Sequence, residues 1–196
     1  MADRPLHISD PQRIRALSHP LRLELIDVLG DGPATATRCA ALTGESVASC
    51  SFHLRMLAKY GYVEPAQRSG REKPWQLTSS SQEIRPDVKD PDSLRAVEAM
   101  ASVYVDRAVE HIHRWLAQAT AGAPEWIQAS SVTGSSIWAT VEEMEELSQT
   151  MQALADRFGE RRSDPTERPA GARPVRIFTA IHVDVAKEER SARTRE

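Results

Sequence analysis

Between Thr35 and Gly61 two short helical patterns meet at a glycine, and that arrangement leaves the chain few ways to fold. Thr35 can cap a helix reaching Leu42. Thr43-Gly44-Glu45 stops it, because glycine enters a left-handed turn without steric cost. Ser46 can cap a second helix over about 47–59, whose apolar positions Val47, Cys50, Leu54 and Leu57 fall three, four and three apart on one stripe. Gly61 ends it. The spacing predicts two helices at an angle across a tight turn, sharing one buried edge.

The flanks extend this unit to a domain over 10–80, preceded by a flexible arm over 1–9. Asp10-Pro11 and His19-Pro20 are helix starts, each with proline in the first turn. Ile14, Leu17 and Leu21 recur at helical spacing. The second helix carries Leu21, Leu25, Val28 and Leu29 and stops at Gly30-Asp31-Gly32-Pro33. After Gly61, extended runs Tyr62–Ala66 and Lys73–Thr78 flank the polar hairpin tip Gln67-Arg68-Ser69-Gly70-Arg71-Glu72.

The outer face of the 47–59 helix decides what such a domain can meet. It shows Ala48, Ser49, Ser51, Phe52, His53 and Arg55, after the cap Ser46. Small residues let a helix sit deep in a major groove roughly 12 Å wide. Serines reach base edges or phosphates, and Arg55 can grip a phosphate or a guanine. Arg68 and Arg71 at the hairpin tip, with Lys73 beyond, suit the flanking DNA backbone or minor groove. The charge leans the same way. Residues 1–80 hold ten Lys/Arg against eight Asp/Glu, net +2, and the remainder fifteen against twenty, net −5.

The segment Ala16-Leu17-Ser18-His19-Pro20-Leu21-Arg22-Leu23 resembles the opening of the arsenical-resistance-repressor (ArsR-like) winged-helix regulators. Ser51-Phe52-His53-Leu54-Arg55-Met56-Leu57, followed by Tyr60-Gly61-Tyr62-Val63, resembles their recognition helix and its exit into the wing. The resemblance covers about residues 10–80. It implies a dimer whose recognition helices read a palindromic operator in double-stranded DNA, with repression relieved by an inducer. Metal-sensing relatives often carry a Cys-x-Cys pair on the support helix. Here Thr37-Arg38-Cys39-Ala40-Ala41 has a single cysteine, so that metal site is missing.

Beyond a linker over 81–91, a long helix is expected over 92–120. Leu94, Val97, Ala101, Val105, Ala108, Ile112 and Trp115 follow a mean spacing of 3.5, the period of a coiled-coil seam. Such a helix is roughly 40 Å long, more than a small domain covers alone, so these residues, Leu94 to Ile112, are read as a homodimer seam. Residues 121–185 are expected to form a small α/β unit. It has strands at Trp126–Ser130, Ser136–Thr140 and Pro174–Val185 and a helix over about 141–158. A charged tail over 186–196 follows.

Tyr104, Trp115, Trp126 and Trp138 are candidates to line a small-molecule effector pocket. Cys39 and Cys50 sit on helices that pack together, so a redox switch stands beside the alternative of two small buried hydrophobes. Asp106, Glu110, His111 and His113 offer metal ligands, but the two histidines point to different sides of a helix. No metal or cofactor is expected. No nucleophile elbow, phosphate loop or dinucleotide fingerprint is present, and an enzyme built on 120–185 lacks a recognisable site. No apolar run approaches membrane-spanning length, and the chain is expected to be cytoplasmic.

The fold expected is therefore α+β and mostly helical: a winged helix-turn-helix domain, a long dimerisation helix and a small C-terminal α/β unit. The function expected is transcriptional regulation by a dimeric repressor that answers a ligand or partner. Two alternatives remain open: a metal- or redox-responsive regulator of the same fold, and a protein-interaction module that uses the winged helix without DNA.

Overall fold

Local capping sets the first four helices. The computed structural model describes residues 6–67, 73–79, 82–84, 86–118 and 121–193. Strand β1 (Leu6–Ile8) is followed by α1 (Pro11–Arg15), where the Asp10 carboxylate accepts from the Gln12 amide at 3.1 Å. Helix α2 (Pro20–Gly30) is capped by His19, whose Nδ1 accepts from the Leu21 amide at 3.2 Å. Thr35 caps α3 (Ala36–Thr43) and Ser46 caps α4 (Val47–Lys59), each accepting from the amide three residues on at 3.1 Å. Gly44 joins the two helices at φ 75° and Gly61 leaves α4 at φ 76°. A side chain at either would be strained.

The wing is an antiparallel pair, β2 (Val63–Pro65) with β3 (Trp75–Leu77), in the register Val63↔Leu77 and Pro65↔Trp75. Ala34 adds a bridge to Trp75, with reciprocal backbone bonds of 2.8 and 3.0 Å. The Thr78 hydroxyl donates to the Gly61 carbonyl at 2.8 Å and closes the base of the hairpin.

The arm expected over 1–9 and the linker expected over 81–91 both contain strands. Leu6–Ile8 pairs in parallel with β4 (Gln82–Ile84), and Ile8 is buried. Ile8 had an apolar site to fill, but its ladder partner lies far along the chain. After β4, α5 (Pro91–Gln118) begins at a tied corner. The buried Ser93 hydroxyl donates to the Ser9 carbonyl at 3.1 Å and accepts from the Asp87 amide at 3.0 Å. Arg15 grips Asp92 bidentately at 3.0 and 2.9 Å. The adjacent Arg15 guanidinium holds the Asp92 carboxyl below the usual carboxylate range.

Two compact units divide the chain: Met1–Trp115 with Gly159–Gly171, and Leu116–Phe158 with Ala172–Glu196. The first has a true core of Ile14, Leu25, Cys39, Cys50, Leu54, Leu57 and Tyr62, and Ala96 of α5 packs into it. Tyr62 is wholly buried; its hydroxyl donates to the Arg13 carbonyl at 2.8 Å. Burial pushes its phenol up to about 12.

Of the three strands expected in the second unit, the first is a helix. Residues Pro124–Ala129 form α6, because Pro124 and Glu125 suit the first turn of a helix. Helix α7 (Val141–Asp156) opens with a reciprocal cap: the Glu143 carboxylate accepts from the Thr140 amide at 2.8 Å, and the Glu143 amide donates to the Thr140 hydroxyl at 3.3 Å. Residues 136–140 and 174–184 take no regular secondary structure and belong to no sheet among the described residues. Helix α8 (Gly159–Ser163) belongs to the first unit. Helix α9 (Val185–Arg193) occupies most of the expected charged tail.

Candidate nucleic-acid interface

The α3–turn–α4 element is pinned by a residue that the sequence pattern did not single out. The Thr43 hydroxyl donates to the Cys39 carbonyl at 3.0 Å and accepts from the Glu45 amide at 3.3 Å. It also lies 3.7 Å from the Cys50 sulfur, so one side chain touches both helices and the turn. Cys50, Leu54 and Leu57 fill the buried edge. Val47, expected on that edge, is instead exposed at the first turn, ahead of the point where α3 covers the helix.

With that edge buried, Ala48, Phe52, Arg55 and Lys59 point outward in a row spaced four, three and four. Ala48, Arg55 and the cap Ser46 are exposed, Phe52 is 52% exposed, and Ser49 and Ser51 flank the row half-buried. Lys59 sits over the Tyr60 ring at 5.4 Å and extends the row; its helical spacing from Arg55 was the available sequence signal. A small residue, an aromatic and two cations on one exposed helix face can meet a groove of apolar methyls, base edges and phosphates. Lys73 is exposed at the start of the returning wing segment. Arg68 and Arg71 lie outside the described residues.

His53 is turned away from this row. Its ring lies 4.3 Å from that of His19, Phe52 meets it edge-on at 5.1 Å, and its Nδ1 is buried with no hydrogen-bond partner. Burial lowers the pKa of both histidines. Each is further lowered by the nearby Arg22 guanidinium, with His19 also acting on His53, while the Glu45 carboxylate opposes these effects. Both rings are therefore held neutral at pH 7, and His19 Nδ1 stays free of a proton for its capping bond.

Helix α5 carries two apolar faces. Ala96, Val97, Met100 and Val103 turn toward the chain's own core, and Ala108 is buried within the protomer. Roughly 150° around the helix, at about 3.6 residues per turn, Leu94, Val105, Val109 and Leu116 are 42–50% exposed, with Ala101 and Ile112 half-buried in the same stripe. Of the six seam residues expected from sequence, Val97 and Ala108 thus face inward, while Val109 and Leu116 join the open stripe. Arg107 ties α5 to α2: it donates to Asp27 at 2.9 Å and to the Pro20 carbonyl at 3.2 Å, and within α5 to His111 at 3.3 Å, with its side chain 13% exposed.

The four aromatics divide between the units. Tyr104 and Trp115 are exposed on α5 in the first. In the second, the Arg173 guanidinium lies 4.8 Å from the Trp126 ring and the Lys187 ammonium 5.3 Å from the Trp138 ring. Trp138 borders an open cleft of about 350 Å³ with Ile137, Glu143, Glu146, Leu147 and Thr150. Both cysteines are buried, and desolvation pushes the Cys39 thiol up to about 11. Among the described residues, no three His, Cys, Asp or Glu side chains gather as a metal site, and no helix is long and apolar enough to cross a membrane.

Comparison with known proteins adds a family to this geometry. No curated protein matches the chain. A solution structure of the homodimeric winged helix-turn-helix DNA-binding domain (fragment 1-100) of Mb0332 from Mycobacterium bovis, a possible ArsR-family transcriptional regulator, is 26% identical. It covers 50% of this chain and 81% of its own, with a TM-score of 0.33. A crystal structure of a possible transcriptional regulator for arsenical resistance is also 26% identical, covering 51% of this chain and 95% of its own, with a TM-score of 0.32. ZitR of Lactococcus lactis is 16% identical over 72% of this chain and 83% of its own, with a TM-score of 0.32. The model of a helix-turn-helix domain family matches residues 17–65, the stretch that holds α2, α3, the Gly44 turn, α4 and β2. Residues 17–65 of this chain are therefore a helix-turn-helix domain, one that resembles the ArsR-like regulators in the motifs at its start and along α4.

Proposed function

We propose that this protein is a sequence-specific, DNA-binding transcriptional regulator acting as a homodimer, a repressor whose operator affinity answers a small ligand or partner at its C-terminal part. The observation that carries the reading is the outward row Ala48–Phe52–Arg55–Lys59 on α4, with Lys73 exposed at the start of the returning wing segment. In this reading α4 enters the major groove. Ala48 permits close approach, Phe52 packs on thymine methyls, Ser49 and Ser51 bond to base edges or phosphates, and Arg55 and Lys59 hold phosphate or guanine. The open stripe of α5 joins two chains, so that two recognition helices meet half-sites about one helical turn or more apart in a palindromic operator. The protein would act in the cytoplasm, by binding and without catalysis.

The buried thiols favour the ligand-responsive version over the redox one, because an oxidant meets neither thiolate character nor access at Cys39. The test is selection of bound genomic fragments by the purified full-length protein. Enrichment of fragments sharing a two-fold-symmetric motif is the expected result. Failure to retain duplex DNA even at low salt would overturn the reading and favour a protein-binding winged helix.

A further inference from the structure

Three buried polar side-chain atoms find no hydrogen-bond partner among the described residues: the Ser18 hydroxyl, the Arg22 Nε and the His53 Nδ1. Ser18 and Arg22 flank His19 at the start of α2, and His53 lies against His19 from the middle of α4. Buried polar atoms are almost always paired, so the set marks a contact that is short of acceptors. It is also close to positive charge. The Arg22 guanidinium, half-buried and donating to the Arg15 carbonyl at 3.4 Å, acts on both rings. Glu45 is the one carboxylate among the described residues that opposes it there, and Tyr60 acts on Arg22 alone.

A proton added to this contact breaks something. Neutral His19 accepts the Leu21 amide at Nδ1, 3.2 Å away, and so caps α2. On an imidazolium both ring nitrogens are donors, so that bond is lost. A proton on His53 sets a second cation beside Arg22 and against the His19 ring, 4.3 Å away. It also leaves the buried Nδ1 a donor with no acceptor. Both costs are relieved only when the rings part. What the rings hold is the outward face of α4. Phe52, next to His53 in the chain, meets its ring edge-on at 5.1 Å and is 52% exposed in the outward row. Parting the rings shifts α4 against α2 and removes the wall that orients Phe52.

We infer that the His19–His53 contact is a proton-sensitive seat for α4: two uncharged rings hold the outward row in its DNA-reading position, and acid releases it. This rests on the DNA-binding reading above and adds a regulation to it. His53 is a positioning residue in this account, acting through His19 and Phe52, and makes no contact with DNA itself. The sign is opposite to that of a histidine on a phosphate, which binds more tightly when charged.

The test measures binding of the full-length protein to a labelled duplex recovered in the genomic selection. Fluorescence anisotropy at constant salt from pH 8 to pH 5 gives the affinity, and circular dichroism shows that the chain stays folded. With Arg22 already present, the pair takes up about one charge, so affinity should hold down to about pH 6.5 and then fall by up to about tenfold per pH unit. A His19→Asn/His53→Gln variant keeps a side-chain oxygen for the cap and cannot titrate. It should bind as the wild type does at pH 7.5 and lose most of the dependence on pH. Histidine proton resonances give a second reading in the unaltered protein: by linkage, the duplex should lower the pKa of His19 and His53. An affinity that rises toward acid, a fall of equal size in the variant, or pKa values that rise on binding would overturn the inference and leave DNA binding standing. A wild type that retains no duplex at any pH would remove both.

Discussion

Arg55→Ala isolates the electrostatic part of the proposed interface. Arg55 is exposed in the middle of the outward row of α4, on a helix whose opposite edge is locked by Cys50, Leu54 and Leu57, so truncation leaves the fold alone. Two chains bring two copies of the residue. If each neutralises one phosphate, the slope of log K against log salt becomes shallower by about 0.9 per contact, or about 1.8 for the dimer. Over the fourfold rise from about 50 to about 200 mM salt, the wild type should therefore lose about twelvefold more affinity than the variant loses. Fluorescence anisotropy on a labelled operator, at six or more salt concentrations, measures both slopes. Parallel lines with a constant offset would show that Arg55 reads a base and not a phosphate. Superimposed lines would remove Arg55, and with it the outward row, from the interface.

Further outcomes follow from the first unit. Tyr62→Phe removes a buried hydroxyl that donates to the Arg13 carbonyl at 2.8 Å and should cost about 1 kcal/mol in denaturant melts; an unchanged midpoint would discount that bond. Leu54→Ala, in the wholly buried edge of α4, should cost about 2–5 kcal/mol, again read from the melt. With the Cys39 thiol near 11 and buried, native protein at pH 8 should react with a thiol reagent at least about a hundredfold more slowly than unfolded protein; comparable rates would reopen the redox reading. His19 and His53 titrate below their ordinary value near 6.5, so between the two values the unfolded chain carries more protons. Their contribution to stability is complete above about pH 6.5 and is lost as pH falls. Melts at pH 7.5 and 5.5 should differ less in a His19→Asn/His53→Gln variant, and an unchanged difference would refute the assignment.

Helices α1 to α4 were legible because their signals are local. Asp10, Thr35 and Ser46 each sit where a side-chain oxygen meets a free amide, and Gly44 and Gly61 take the left-handed conformation that ends a helix. The pairing of Leu6–Ile8 with Gln82–Ile84 was not legible, since a three-residue strand has no periodicity to speak of and its partner is remote. Residues 126–129 contain Trp126 and Ile127 and pass for a strand, unless Ala123-Pro124-Glu125 is weighed first as a helix start. Helical phase sets Phe52 and Arg55 on the exposed side of α4, with Ser49 and Ser51 half-buried at its edges. The same phase placed His53 outward, and only the packed structure shows its ring held against His19. No sequence pattern marks a ring–ring contact between two helices.

The seam on α5 shows why phase alone is not enough. A spacing of 3.5 over seven apolar residues describes one stripe, but the helix has two, on nearly opposite sides, and Val97 belongs to the other. Which stripe stays open is decided by how the helix is rolled against α2, and Arg107 ties that roll through Asp27 and the Pro20 carbonyl. Arg107→Met keeps the bulk and the apolar stem but loses every one of those bonds. Asp27 is 38% exposed, so the cost in stability should be modest, about 1–2 kcal/mol. The effect on function should be larger than that figure suggests. If two chains join through α5, a small change of roll at Arg107 is carried along a lever of about 40 Å and alters how far apart the two α4 helices stand. Operator affinity should then fall most for sites of the native half-site spacing and recover in part when the spacing is changed by one or two base pairs. A loss that is uniform across all spacings would mean that Arg107 serves stability alone and that the roll of α5 does not set the separation of the recognition helices.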